Sequence, residues 1–234
     1  MTEHDPPRRK HWLHRGRLRD VVIVLAVAST FFFSPGLAVQ CVAIGLLVAG
    51  GGLHLLVKGQ LIRNRVLCAQ GAYAVVRHPY YLANYLIDTG FCLACGNVYL
   101  VLAYPFLFFW AYGPTLRSEE SLLASLHGPE FEPYRAGVPQ VFPDATLFAS
   151  LGTLGRDFSW GRISAREVKR LFRCAFVAAL LLLLGRIGPD GWREILAGSD
   201  PLDTGGIVLL ALCVLLFLPA VLIRPRRGEP DVIL

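Results

Sequence analysis

From Val21 to Val57 the chain is an almost unbroken run of apolar residues. As one helix this run would be about 55 Å long, too long for a hydrocarbon core of about 30 Å. Ser34-Pro35-Gly36 interrupts it where a turn is needed, since proline and glycine both disfavour continued helix. The pattern predicts two antiparallel spans, Val21 to Phe33 and Leu37 to Val57, the first of them short. After a polar stretch from Lys58 to Pro79, apolar residues resume from Tyr81 to Cys95 and from Val98 to Tyr112, parted by the turn pair Gly96-Asn97. A long polar segment, Gly113 to Arg170, holds a helix-like piece from Ser118 to Leu126 and several prolines that forbid long helices. Two further spans are predicted near Leu171 to Ile187 and Gly205 to Ile223. The expected fold is all-α: a polytopic membrane bundle of about six transmembrane helices arranged as hairpins. Its parts would be a basic tail (1–20), a membrane core (21–145), and a linker with a terminal hairpin (146–234).

Composition agrees with lipid as the solvent. Of 234 residues 54% are hydrophobic and 17% charged, whereas soluble domains carry about 25% charged residues. Met1 to Asp20 is polar and basic, and no cleavage site follows, so it reads as a tail rather than a leader. The net charge of +6 is distributed by topology. Of 23 Lys and Arg residues, all but Arg186 and Arg193 fall in the tails, the Lys58 to Arg77 loop or the Arg117 to Arg173 segment. That asymmetry predicts that both termini and the long polar segments are cytoplasmic. The basic residues then meet anionic lipid heads, and no nucleic-acid partner is expected. Six cysteines are scattered, most of them in apolar stretches. Cys92 and Cys95 form a CxxC inside a predicted span with no further ligands at suitable spacing, so they read as buried thiols and no metal site is expected.

A membrane protein concentrates its costly polar groups where it works. Three places stand out. In the first, Gly71 to Tyr85, Arg77 and His78 stand just before a helix opened by Pro79, where free N–H groups can receive an anion. Tyr73, Tyr80, Tyr81 and Tyr85 offer faces for a nucleobase or a sulfonium cation. The same residues could equally be an interfacial anchor. In the second, Glu119 and Glu120 follow a span, with Ser118 as a helix cap; they are either helix-start acids or one wall of a pocket shared with Arg77-His78. The third is Asp88, an acid within a span that should face protein rather than lipid. His54, also within a span, reads as a satisfied core histidine, and His4, His11 and His14 as solvated tail.

The ordered set Arg77-His78-Pro79-x-Tyr81, Glu119-Glu120, Gly128, Tyr134, Val138-Pro139 and Phe142-Pro143 resembles the isoprenylcysteine carboxyl methyltransferase and phospholipid methyltransferase superfamily. The match runs from about Leu61 to Pro143. The resemblance implies S-adenosylmethionine as cofactor, held by the stretch Arg65-Val66-Leu67-Cys68 through its backbone, by Tyr73, by His78, Pro79, Tyr80 and Tyr81, and by Glu119. A carboxylate suits the cofactor's ammonium and hydroxyl donors. The acceptor implied is lipophilic, with membrane lipids as neighbours. Two departures bear on it: Thr115 stands where the family has an arginine four residues before the first glutamate, with Arg117 nearby, and His127 replaces an aromatic before Gly128. Thr115, Arg117 and Asn84 are the acceptor-side candidates.

Methyl transfer from a sulfonium needs alignment and desolvation more than acid–base chemistry. An amine acceptor would add the need for a base, and Glu120 and Asp88 are the candidates. Asp88 could instead line the acceptor site or bond a neighbouring helix. Two other readings stand beside this one: a sterol-reductase-type enzyme using a nicotinamide cofactor, and a non-catalytic membrane scaffold.

Overall fold

The computed structural model describes residues 15–61, 67–144, 151–198 and 202–224, and those residues form a polytopic helical membrane protein with no strand among them. The helices are α1 (Arg15–Ser29), α2 (Leu37–Gln60), α3 (Pro79–Ala94), α4 (Val98–His127), α5 (Phe131–Gly137), α6 (Ala165–Leu196) and α7 (Thr204–Leu222). Four regions are long and apolar enough to cross a membrane: α2, the segment holding α4, α6 and α7.

The two remaining members of the expected six, α1 and α3, have 15 and 16 residues. At 1.5 Å per residue each is about 23–24 Å long, short of a hydrocarbon core. Position explains why α3 can be short. It is the inner helix, packed against α1, α2, α4 and α6, so protein rather than lipid covers most of its surface. The largest interface, α2 on α3, is close because α2 carries Gly50: a Cβ there would lie 2.8 Å from Ile87 Cγ1 and 3.0 Å from the Ala83 carbonyl oxygen. α1 begins at Arg15, inside the stretch expected to be tail, because Leu18, Val22 and Ala26 recur every four residues and form one fully buried stripe.

Both predicted turns are present. Asn97 caps α4 by accepting from the backbone N–H groups of Tyr99 (3.0 Å) and Leu100 (3.2 Å). The expectation that the fourth span stops at Tyr112, with a separate helix starting at Ser118, is corrected. α4 runs for 30 residues straight through Pro105 and Pro114. Pro114 costs the Trp110 carbonyl its helical partner, but Tyr104, Phe108, Ala111 and Leu116 carry one buried stripe across the break. At about 45 Å the helix outruns the bilayer core, and its C-terminal turns lie beyond the apolar part. α6 likewise begins earlier than expected, at the N-cap Ser164, whose Oγ accepts from the Glu167 N–H at 3.2 Å. Its regular course ends near the predicted Ile187, at Gly188 (φ 60°) followed by Pro189.

Candidate functional site

The C-terminal end of α2, the N-terminal ends of α3 and α6, and the distal part of α4 meet at one end of the bundle. Pro79 occupies the first turn of α3 and His78 its cap position, as the sequence predicts. The backbone just before α3 is pinned to the segment after α5: the Arg77 N–H donates to the Pro139 carbonyl (2.8 Å) and the His78 N–H to the Gln140 carbonyl (2.9 Å). Tyr134 of α5 donates its hydroxyl to the Tyr73 carbonyl at 2.8 Å. Phe142 stacks edge-on against Tyr85 of α3, with centroids 4.9 Å apart. These bonds connect the two polar segments that the sequence separates by a helical hairpin.

Side chains complete the junction. Arg77 donates from Nε (2.9 Å) and Nη2 (2.6 Å) to Glu120, and from Nη1 to the carbonyls of Arg135 (2.7 Å) and Val138. Tyr81 donates its hydroxyl to Glu119. His78 stands between the two acids, Nδ1 3.5 Å from Glu119 and Nε2 3.5 Å from Glu120, and the buried Nε2 has no hydrogen-bond partner. Burial raises the Glu120 carboxyl, and the hydrogen bond and charge of Arg77 outweigh it, holding the group below its ordinary range. Two carboxylates thus face one guanidinium and one imidazole. The Tyr81 ring packs edge-on to Tyr112 (5.2 Å) and parallel to His78 (5.8 Å), giving the acids an aromatic wall.

The other candidates divide. Tyr73 is buried with Val57 and Ala72 against the half-buried Cys68 and Leu154 beside this junction, and Leu67 is half-buried. Arg65 and Val66 lie outside the described residues. Tyr80, adjacent in sequence to Tyr81, serves a different group. Its ring lies 4.4 Å from Lys58 Nζ, its hydroxyl accepts from Arg170 at 2.9 Å, and it packs 5.0 Å from the His54 ring. His54 Nε2 and Lys58 Nζ in turn meet Glu167 of α6 at 3.2 and 3.4 Å; His54 is a core histidine as expected, but only in part satisfied, because its buried Nδ1 has no hydrogen-bond partner.

Asp88 and Asn84 are held elsewhere. Asp88 is fully buried, accepting from Arg19 Nε at 2.7 Å and from the Tyr104 hydroxyl at 2.9 Å; Arg19 Nη2 also donates to Asn84 Oδ1 at 2.9 Å. Of its two readings, the structure shows the helix-bonding one. Thr115 is half-buried, and Arg117 is exposed one residue past the buried Leu116. Sequence reasoning missed Arg19 and Glu167. The signal for Arg19 was available, because a buried acid in a span demands a cation. The buried thiols are as expected: Cys92 and Cys95 are free and fully buried. No cluster able to hold a metal exists among the described residues.

Comparison with known proteins finds partial relatives. Over 95 residues the chain is 28% identical to a protein-S-isoprenylcysteine O-methyltransferase of Schizosaccharomyces pombe, covering 41% of this chain and 40% of that one. The likeness is to a methyltransferase. It is also 33% identical over 91 residues to a nickel-cobalt-cadmium resistance protein of Alcaligenes xylosoxydans xylosoxydans, and 30% identical over 91 residues to a cobalt-zinc-cadmium resistance protein of Cupriavidus metallidurans; each match covers 39% of this chain and 42% of the relative. The chain therefore spans about two-fifths of the length of the curated relatives it matches. No family model matches it, and no solved structure does.

Proposed function

We propose that the protein is a membrane-embedded methyltransferase that moves a methyl group from S-adenosylmethionine to a lipophilic acceptor, with the cofactor bound at the junction of Arg77, His78, Tyr81, Glu119 and Glu120. The observation that carries this reading is the meeting of two sequence-distant segments in one cluster: Tyr81 on Glu119, Arg77 on Glu120, and His78 between them. The residues fit the cofactor. Its ammonium and ribose hydroxyls are donors, and the cluster offers carboxylate oxygens and a buried imidazole nitrogen without a hydrogen-bond partner. The cofactor, when bound, supplies an activated methyl carbon.

The chain's own part is positioning and exclusion of water. Tyr81 fixes the Glu119 carboxylate against the α3 cap, and Arg77 fixes Glu120 while anchoring the carbonyls of residues 135 and 138. Glu119 receives the cofactor's donors, and the aromatic faces of Tyr81 and Tyr112 shield it. Tyr73, with the half-buried Cys68 and Leu67, borders the same junction, and Pro79 sets the start of the helix that carries it. Thr115 and Arg117 flank the acceptor's approach along α4.

Both candidate bases are paired with an arginine, Glu120 with Arg77 and Asp88 with Arg19. Arg77 holds the Glu120 carboxyl below its ordinary range, which makes it a poor proton acceptor, and the Asp88 oxygens are already engaged by Arg19 and the Tyr104 hydroxyl. The reading therefore favours an acceptor already ionised at neutral pH, a carboxylate or thiolate on a hydrocarbon chain, over a phospholipid amine. With both termini cytoplasmic, cofactor enters from water and acceptor from the bilayer. Incubation of the purified chain with methyl-labelled S-adenosylmethionine and a lipid extract tests this. Label in a base-labile ester or in a thioether product is the expected result; label confined to a methylated amine would reject the acceptor class, and no label in any lipid product would reject the reading.

A further inference from the structure

Two cavities adjoin along α6, and neither is lined by a residue of the Arg77–Glu120 cluster. One, of 480 Å³, is lined by Arg19 and Asp20 of α1, Phe91 of α3, and Arg166, Lys169, Arg170 and Arg173 of α6. The other, of 360 Å³, is an apolar groove between α2, α3, α6 and α7, lined by Leu47, Gly51, Ile87, Ala178, Leu212 and Leu216 among others. Cys174 lines both.

The sequence of α6 explains the pairing. Arg166, Lys169, Arg170 and Arg173 fall at i, i+3, i+4 and i+7, so they share one face, and Cys174 and Val177 continue that face into apolar territory. For helix stability the arrangement is unfavourable on two counts. Cations in the first turns oppose the positive end of the helix dipole, and like charges at i, i+4 (Arg166 with Arg170, Lys169 with Arg173) repel. Basic groups outnumber acids in this lining, where Asp20 is the one acid; Arg170 also bonds Tyr80 and meets Glu167, Lys169 donates to the Val221 carbonyl, and Arg19 is neutralised by Asp88.

We infer that this pair of cavities is a binding site for an anionic glycerophospholipid, its phosphate among Arg166, Lys169 and Arg173 and one acyl chain in the groove between α2, α3, α6 and α7. The charge complementarity names the head: arginines bind phosphate oxygens bidentately, and basic pockets between membrane helices select acidic head groups. The continuity through Cys174 names the ligand as an amphiphile rather than a free anion. The site is independent of the methyltransferase reading, because none of its lining residues belongs to the Arg77–Glu120 cluster.

The test uses the full chain in neutral detergent, with thermal unfolding measured against added phosphatidylglycerol, phosphatidylcholine or inorganic phosphate. Phosphatidylglycerol should stabilise the protein, and the other two should not. The triple variant Arg166→Gln, Lys169→Gln, Arg173→Gln leaves Arg19 and Arg170 in their ion pairs and should bind phosphatidylglycerol about a hundredfold more weakly. Gly51→Leu adds a side chain to the groove where nothing lies within 4 Å of the glycine, and it should weaken binding with the arginines intact. Equal stabilisation by both lipids, or an unaffected triple variant, overturns the head-group assignment. An equal response to inorganic phosphate overturns the lipid source, and wild-type binding by Gly51→Leu overturns the acyl groove.

Discussion

Asp88 gives the sharpest separation of structure from chemistry. It is fully buried and joined to Arg19, whose side chain is 19% exposed, across 2.7 Å; Tyr104 and Asn84 complete the network. Removing one member of a buried ion pair leaves an uncompensated charge and costs about 3–5 kcal/mol. Asp88→Leu should therefore lose about that much in reversible unfolding from mixed micelles, because the Arg19 guanidinium stays in place without its carboxylate. Replacing both charges by apolar groups of similar volume is often neutral. The double variant Arg19→Met, Asp88→Leu should thus recover most of the stability, and with it methyl-donor binding. The double-mutant cycle measures the coupling directly. If Asp88→Leu unfolds like the parent, the ion pair is not holding α1 to α3. If the double variant is stable and still inert in methyl transfer to an ionised acceptor, Asp88 acts in the chemistry and its assignment to packing is wrong.

Other substitutions probe the remaining contacts. Glu167→Leu should destabilise by about 3–5 kcal/mol, since it strands Lys58 and His54 without their carboxylate, and the loss should appear in the same unfolding assay. Gly50→Leu should separate α2 from α3, because its Cβ alone meets Ile87 and the Ala83 carbonyl; reduced folded yield in detergent checks it. Arg117→Ala should change stability by no more than about 0.5 kcal/mol, as its side chain is exposed, so any loss of acceptor turnover in that variant reports on substrate rather than on fold.

The sequence made the hairpins legible because their turns carry strong local signals: Ser34-Pro35-Gly36 and Gly96-Asn97 each combine residues that resist helix. It also made the site junction legible, because Arg77-His78-Pro79-x-Tyr81 and Glu119-Glu120 are polar groups at the ends of apolar runs. What misled was local chemistry overruled by packing. The fourth span reads as ending at Tyr112, yet the buried stripe from Tyr104 to Leu116 carries α4 on through Pro114. Arg19 reads as tail, yet its partner is Asp88, 69 residues away. Glu167 lies in a polar segment, and nothing local announces that it meets His54 across 113 residues. Tyr80 and Tyr81 look equivalent in the chain, but as neighbours on a helix they point about 100° apart and serve different clusters.

Isothermal titration of S-adenosylmethionine into the purified chain tests the central claim most directly. Glu119→Ala removes a charge-assisted acceptor worth about 1.5–3 kcal/mol and should weaken binding roughly 10- to 150-fold, whereas Cys92→Ala, buried away from the junction, should bind as the parent does. Full affinity in Glu119→Ala, or no binding by the parent chain, would contradict the account.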